Sequence, residues 1–146
     1  MEANFHEMAR VIDGALQAGE AYTASFAAED TDFVRFNGGR VRQPGSVRQS
    51  GLSIDLIRGR RHAVHSLTLS GDVIDDSAQV RRAVADLRTA LADVEDDPFL
   101  LYATEVRSSR TVRDGRLLEA GQAVDAIVES ARGLDMVGIY AAGRIC

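Results

Sequence analysis

The chain has 146 residues, a net charge of −5 and 27% charged residues, and all 17 of its basic residues are arginines. The lack of lysine excludes Schiff-base catalysis, a pyridoxal-phosphate anchor, a Ser–Lys dyad and a phosphate loop ending in Gly-Lys-Ser/Thr. This length suits one domain that buries about 68–70% of its unfolded surface, so folding needs neither a disulfide nor a metal.

The start, Met1-Glu2-Ala3-Asn4-Phe5, has no basic region leading into an apolar one, and no apolar run approaches the roughly 20 residues that cross a bilayer. With Cys146 as the one cysteine, these features predict a cytoplasmic protein with no membrane partner.

Asn4 followed by Glu7 has the spacing of a capping box. Phe5, Met8, Ile12 and Leu16 then recur every three to four residues, and Gly19 stands where a helix would stop, which predicts an amphipathic helix over 5–18. The period then drops to two. Tyr22, Ala24 and Phe26 alternate with polar residues, Val34 and Phe36 continue, and Asn37-Gly38-Gly39 is a hairpin signal. Val41 resumes the alternation, Pro44-Gly45 interrupts it, and Leu52, Ile54 and Leu56 carry it to a turn at Arg58-Gly59-Arg60. The strand after that turn has Ala63, Leu67 and Leu69 as its inward set.

A second helix is marked by Val80, Val84, Leu87, Leu91 and Val94, with Asp75 and Asp76 at its positive end and Asp97-Pro98 closing it. Residues 99–118 read as part extended and part loop. A third helix over 122–132 presents Val124, Ile127, Val128 and Ala131 and stops at Gly133. The expected class is α+β: an antiparallel meander of four to five strands with amphipathic helices packed on one face. Residues 134–146 look like a strand entering a glycine turn with no later strand to pair with. They predict the N-terminal piece of a longer protein, with a domain over 1–133 and the first strand of a following segment over 134–146.

Most motifs fail on their chemistry. His62 and His65 are three apart on a strand and point to opposite faces, so they cannot converge on one metal. His6-Glu7 lacks the second histidine of a zinc-protease helix, and Gly138 to Gly143-Arg144 lacks the lysine and hydroxyl of a phosphate loop. There is no Gly-x-Ser-x-Gly, and Glu95-Asp96-Asp97 reads as a solvated helix-end cluster. No catalytic or metal-ligating residue is assigned.

Arginine is the informative residue. Between Phe33 and Arg61 stand Arg35, Arg40, Arg42, Arg48, Arg58, Arg60 and Arg61 against Asp55 alone, a local +6 that leaves −11 for the rest. Such a face could grip nucleic acid, but only Phe33 and Phe36 offer rings for stacking. In so acidic a chain, a solvated strand face or an intersubunit surface is the better reading. A nucleic-acid or protein-binding module using this arginine-rich sheet face is the alternative function.

Two stretches, Phe33-Val34-Arg35-Phe36-Asn37-Gly38-Gly39-Arg40-Val41-Arg42-Gln43 and Gly51 through Ala63, together resemble the N-terminal domain of the TldD/PmbA family. The resemblance covers residues 4–98 well and 120–146 loosely. It implies a non-catalytic N-terminal domain of a cytoplasmic protein roughly three times as long, which assembles as a homodimer or as a TldD/PmbA heterodimer. In the TldD branch, zinc on a His-Glu-x-x-x-His helix of the C-terminal half hydrolyses small or unfolded peptides; the PmbA branch lacks those ligands. This chain would then hold no cofactor itself. It would wall a substrate chamber, with Arg35, Arg42 and Gln43 as contacts to peptide substrate or partner. The family label "modulator of DNA gyrase" is not evidence of DNA binding.

Overall fold

The computed structural model describes residues 1–113 and 115–146, and the elements run α1 (Glu2–Ala15), β1 (Glu20–Asn37), β2 (Arg40–Arg58), β3 (Arg61–Leu69), α2 (Val73–Ala90), α3 (Ala120–Ser130) and β4 (Gly138–Ile145). The strands form one antiparallel sheet in the order β3-β2-β1-β4, which is the α+β architecture expected from the sequence. Two compact units share these strands. The first holds Met1–Ala28, Gln49–Thr104 and Cys146, and the second holds Glu29–Arg48 and Glu105–Ile145.

In the first unit β2 is central, because its Ser50–Arg58 half pairs with β3, Leu52 opposite Leu67 and Leu56 opposite Ala63. The period-two apolar set Leu52, Ile54 and Leu56 points with Leu67 and Leu69 toward the helices. Met8 and Ile12 of α1 and Val80, Ala83, Val84 and Leu87 of α2 complete that core, and Tyr22, Ala24 and Phe26 of β1 pack against it. The stripes read from the sequence are therefore the buried faces.

Both helix boundaries differ from expectation. α1 begins at Glu2, because Asn4 N and Phe5 N donate to Met1 O, so Asn4 lies inside the helix and makes no capping box. α2 starts at an N-cap the periodicity did not reveal. Asp72 accepts from Ile74 N and Asp75 N, and buried Asp76 accepts from Ser70 N, Ser70 Oγ and Gly71 N. It ends at Ala90, seven residues before Asp97-Pro98, and Ala92 N and Asp93 N close the following turn on Thr89 O and Ala90 O.

In the second unit β1 is central. Its Glu29–Phe36 half pairs with β4, from Glu29 opposite Ile145 to Phe36 opposite Gly138. The C-terminal strand expected to lack a partner thus has one within the chain. Proline is tolerated in β2 because β3 covers only Ser50–Arg58, leaving Pro44 on a stretch with no strand on that side among the described residues. Pro44-Gly45 consequently lies within one 19-residue strand and does not end it.

No described helix is long and apolar enough to cross a membrane.

Candidate functional site

A two-residue turn, Gly38-Gly39, joins β1 to β2, with φ of +60° and +67° at its two positions. That geometry matches the right-handed twist of paired strands and is strained for any residue with a Cβ. Gly39 has a second constraint. A Cβ there would stand 3.1 Å from both Ala131 O and Leu134 O, and Gly39 N donates to Met136 O. The hairpin tip is thereby fixed against the end of α3 and the segment leading into β4.

The tip carries the residues singled out from the sequence. Arg35 lies two residues before the end of β1, Arg42 and Gln43 lie early in β2, and all three are exposed. The turn brings them to one end of the hairpin. Arg35 has an aromatic neighbour. Its guanidinium carbon lies 5.7 Å from the centroid of the Phe33 ring, and that ring in turn covers Gly45, where an added Cβ would meet Phe33 ring carbons at 2.5 and 2.7 Å. Glycine in the strand lets an aromatic ring lie on the backbone, and the ring then supports a cation. The Pro44-Gly45 signal, read as an interruption, marked this close approach. Arg40, which the sequence did not single out as a contact, is exposed at the same end.

The arginine run is divided between the two units. Arg48 pairs with Asp30 at 3.1 Å, and Ser46 Oγ donates to Asp32 at 2.5 Å on the neighbouring strand. Arg58, Arg60 and Arg61 belong to the first unit, at the far end of β2 in sequence. There Arg60 donates to Pro98 O, Arg61 Nε donates to Asp96 Oδ1 at 2.9 Å, and Asp97 N donates to Arg60 O. His62 sits between carboxylates, its Nδ1 3.1 Å from Asp55 and its Nε2 3.6 Å from Asp97. The acids at 96 and 97 therefore tie the chain after α2 onto the β2–β3 turn. His65 lies opposite Ile54 and His62 opposite Ile57, on opposite faces of the sheet. Among the described residues no three His, Cys, Asp or Glu side chains are placed to hold a metal ion.

A second group in the first unit is structural. Arg88 forks onto Glu20, Nε to Oε1 at 2.6 Å and Nη2 to Oε2 at 2.8 Å, and Nη2 also donates to Ala15 O. This guanidinium holds the buried Glu20 carboxyl below its usual range, against the opposing effect of desolvation. Nearby, burial and a 3.0 Å bond donated to Asp13 push the Tyr22 phenol up to about 12.

In the second unit, Ala123, Ile127 and Ala131 of α3 face Leu134, Met136 and Tyr140 across an apolar groove of about 450 Å³.

No family model and no curated protein matches this sequence. Solved structures do match. TldE from Thermococcus kodakarensis superposes with a TM-score of 0.65 at 9% identity, over 97% of this chain and 37% of TldE. A putative modulator of a DNA gyrase from Thermotoga maritima gives 0.57 at 12% identity, over 97% of this chain and 38% of its own. The chain thus spans under two-fifths of the length of either relative. The helix–meander–helix pattern read at 4–98 and the course of 120–146 together have the fold of a TldD/PmbA-type domain.

Proposed function

We propose that this chain is the non-catalytic N-terminal domain of a TldD/PmbA-type zinc metallopeptidase, or of its PmbA-type partner. In this reading it forms part of the substrate chamber and of a homodimer or TldD/PmbA heterodimer. The observation that carries the proposal is the likeness to TldE over 97% of the chain, reached independently of the turn-and-strand pattern at 33–63. Zinc, when bound in the TldD branch, supplies a polarised water for attack on a peptide carbonyl. The donor set of the described residues does not fit that ion, so no step of the hydrolysis is assigned to them. What the chain's own residues offer is a rigid hairpin tip. Arg35, Arg42 and Gln43 present charge-assisted and amide donors to a peptide or to a partner subunit.

The test is to purify the chain without a metal-binding tag and assay it for peptide cleavage and for zinc by elemental analysis. It is then mixed with a TldD-type zinc subunit and followed by light scattering. The chain alone should cleave nothing and carry no stoichiometric zinc, and it should co-elute with the zinc subunit. Peptide cleavage by the chain unaided would overturn the proposal.

Nucleic-acid binding through the arginine face is the less favoured reading, because Arg48, Arg60 and Arg61 are already engaged within the chain.

A further inference from the structure

Of the seven arginines between residues 35 and 61, Arg35, Arg40 and Arg42 share three properties. They are exposed, they cluster at the Gly38-Gly39 turn, and they make no ion pair in the described structure. In the same unit Asp30 pairs with Arg48, Glu129 pairs with Arg132, and Asp32 accepts from Ser46 Oγ. On β4 the residue opposite Arg35 is Ile139, which is 67% exposed and lies on the same face of the sheet. The tip is therefore a cationic patch beside an uncovered isoleucine, with one guanidinium stacked on Phe33, whose ring lies over Gly45.

We propose that the β1–β2 hairpin tip binds an acidic polypeptide segment whose carboxylates are taken by Arg35, Arg40 and Arg42 and which lays an apolar side chain on Ile139. This rests on the reading of the tip as a contact surface and adds the chemistry of what it contacts. A planar guanidinium forks onto a carboxylate, and a ring-supported guanidinium loses little freedom in doing so. A polypeptide fits better than nucleic acid because a phosphate backbone has nothing apolar to place on Ile139, and a short acidic stretch is neutralised by three arginines.

The probe is a fluorescein-labelled peptide of alternating glutamate and valine, titrated with the whole chain at low and moderate salt and read by anisotropy. Its glutamine counterpart and a single-stranded oligonucleotide serve as comparisons. The glutamate peptide should bind, and added salt should weaken it. Arg35→Ala with Arg42→Ala should reduce affinity by about tenfold or more, while Arg81→Ala with Arg82→Ala, an equal loss of charge on α2, should leave it unchanged. If the alanine pair does not fold by circular dichroism, Arg35→Lys with Arg42→Lys is the variant read. It keeps the charge but loses the fork and should bind several-fold more weakly. The proposal is overturned by no binding, by equal binding of the glutamine peptide, by equal losses in both alanine pairs, or by an unchanged lysine pair. Tighter binding of the oligonucleotide also overturns it and makes nucleic acid the occupant. Failure here is separable from failure of the domain assignment, which is read by co-elution with a zinc subunit.

Discussion

At the scale of single residues, the Glu20–Arg88 fork is the clearest case of chemistry the sequence conceals. Sixty-eight positions separate the partners, and no periodicity links them. Because Glu20 has its carboxyl pKa lowered in the fold, its contribution to stability is fully present above the ordinary value of 4.5 and is lost as pH falls below it. We expect Glu20→Gln to cost about 1.5–3 kcal/mol at neutral pH and to flatten the acid limb of a stability–pH curve from urea melts. An unchanged acid limb would show that the fork contributes nothing. Tyr22 acts at the other extreme. Its raised phenol pKa stabilises the fold below pH 10, a gain lost as pH climbs toward about 12, and Tyr22→Phe should remove that alkaline limb. The turn glycines, by contrast, were plain in the sequence, since Asn37-Gly38-Gly39 demands positive φ. What could not be read was that Gly39 also nests against the end of α3. Gly39→Val should therefore cost more than Gly38→Val, which carries the backbone penalty of about 1–3 kcal/mol alone. Equal thermal shifts for the two variants would refute the nesting.

At the scale of elements, apolar stripes located all three helices, and inward alternation located β3 and the core half of β2. The misjudged features have local physical causes. Ala27 through Asp32 loses its alternation to small and acidic residues, so β1 does not announce itself as one 18-residue strand. Pro44 reads as a breaker, yet it stands on the part of β2 that β3 leaves uncovered. The partner of β4 was invisible because its pairing joins residues more than a hundred positions apart. That pairing depends on Gly143, opposite Thr31, where a Cβ would stand 2.2 Å from Asp30 O and 2.5 Å from Thr31 Cα. Backbone cannot yield as a flexible side chain does, so Gly143→Ala should part β4 from β1. Amide exchange over 138–145 would then quicken markedly, while α2 keeps its protection. Unaltered exchange in β4 would contradict so close an approach.

At the scale of the whole chain, the division of labour follows from which residues are apolar on both sides of a strand pair. Among the described residues, the largest fully buried side chains, including Ile12, Leu52, Ile54, Leu56, Val80 and Val84, all lie in the first unit. Leu56→Ala there should cost about 2–5 kcal/mol, measured by denaturant unfolding. The second unit buries Phe36, Ala123 and Ala131 and keeps its charged hairpin tip outside. Fold class and helix placement were legible because they rest on periodicity. The arginine site was legible only as a list of residues, because pairing within the fold decides which of them remain unneutralised. Cys146 is exposed, and its backbone exchanges both hydrogen bonds with Ala28, at 2.8 and 2.9 Å. A chain with one thiol and no lysine takes maleimide at a single position. A spin label there would be seated on β1 by two backbone bonds, and its mobility would report fraying of that bridge without any engineered cysteine.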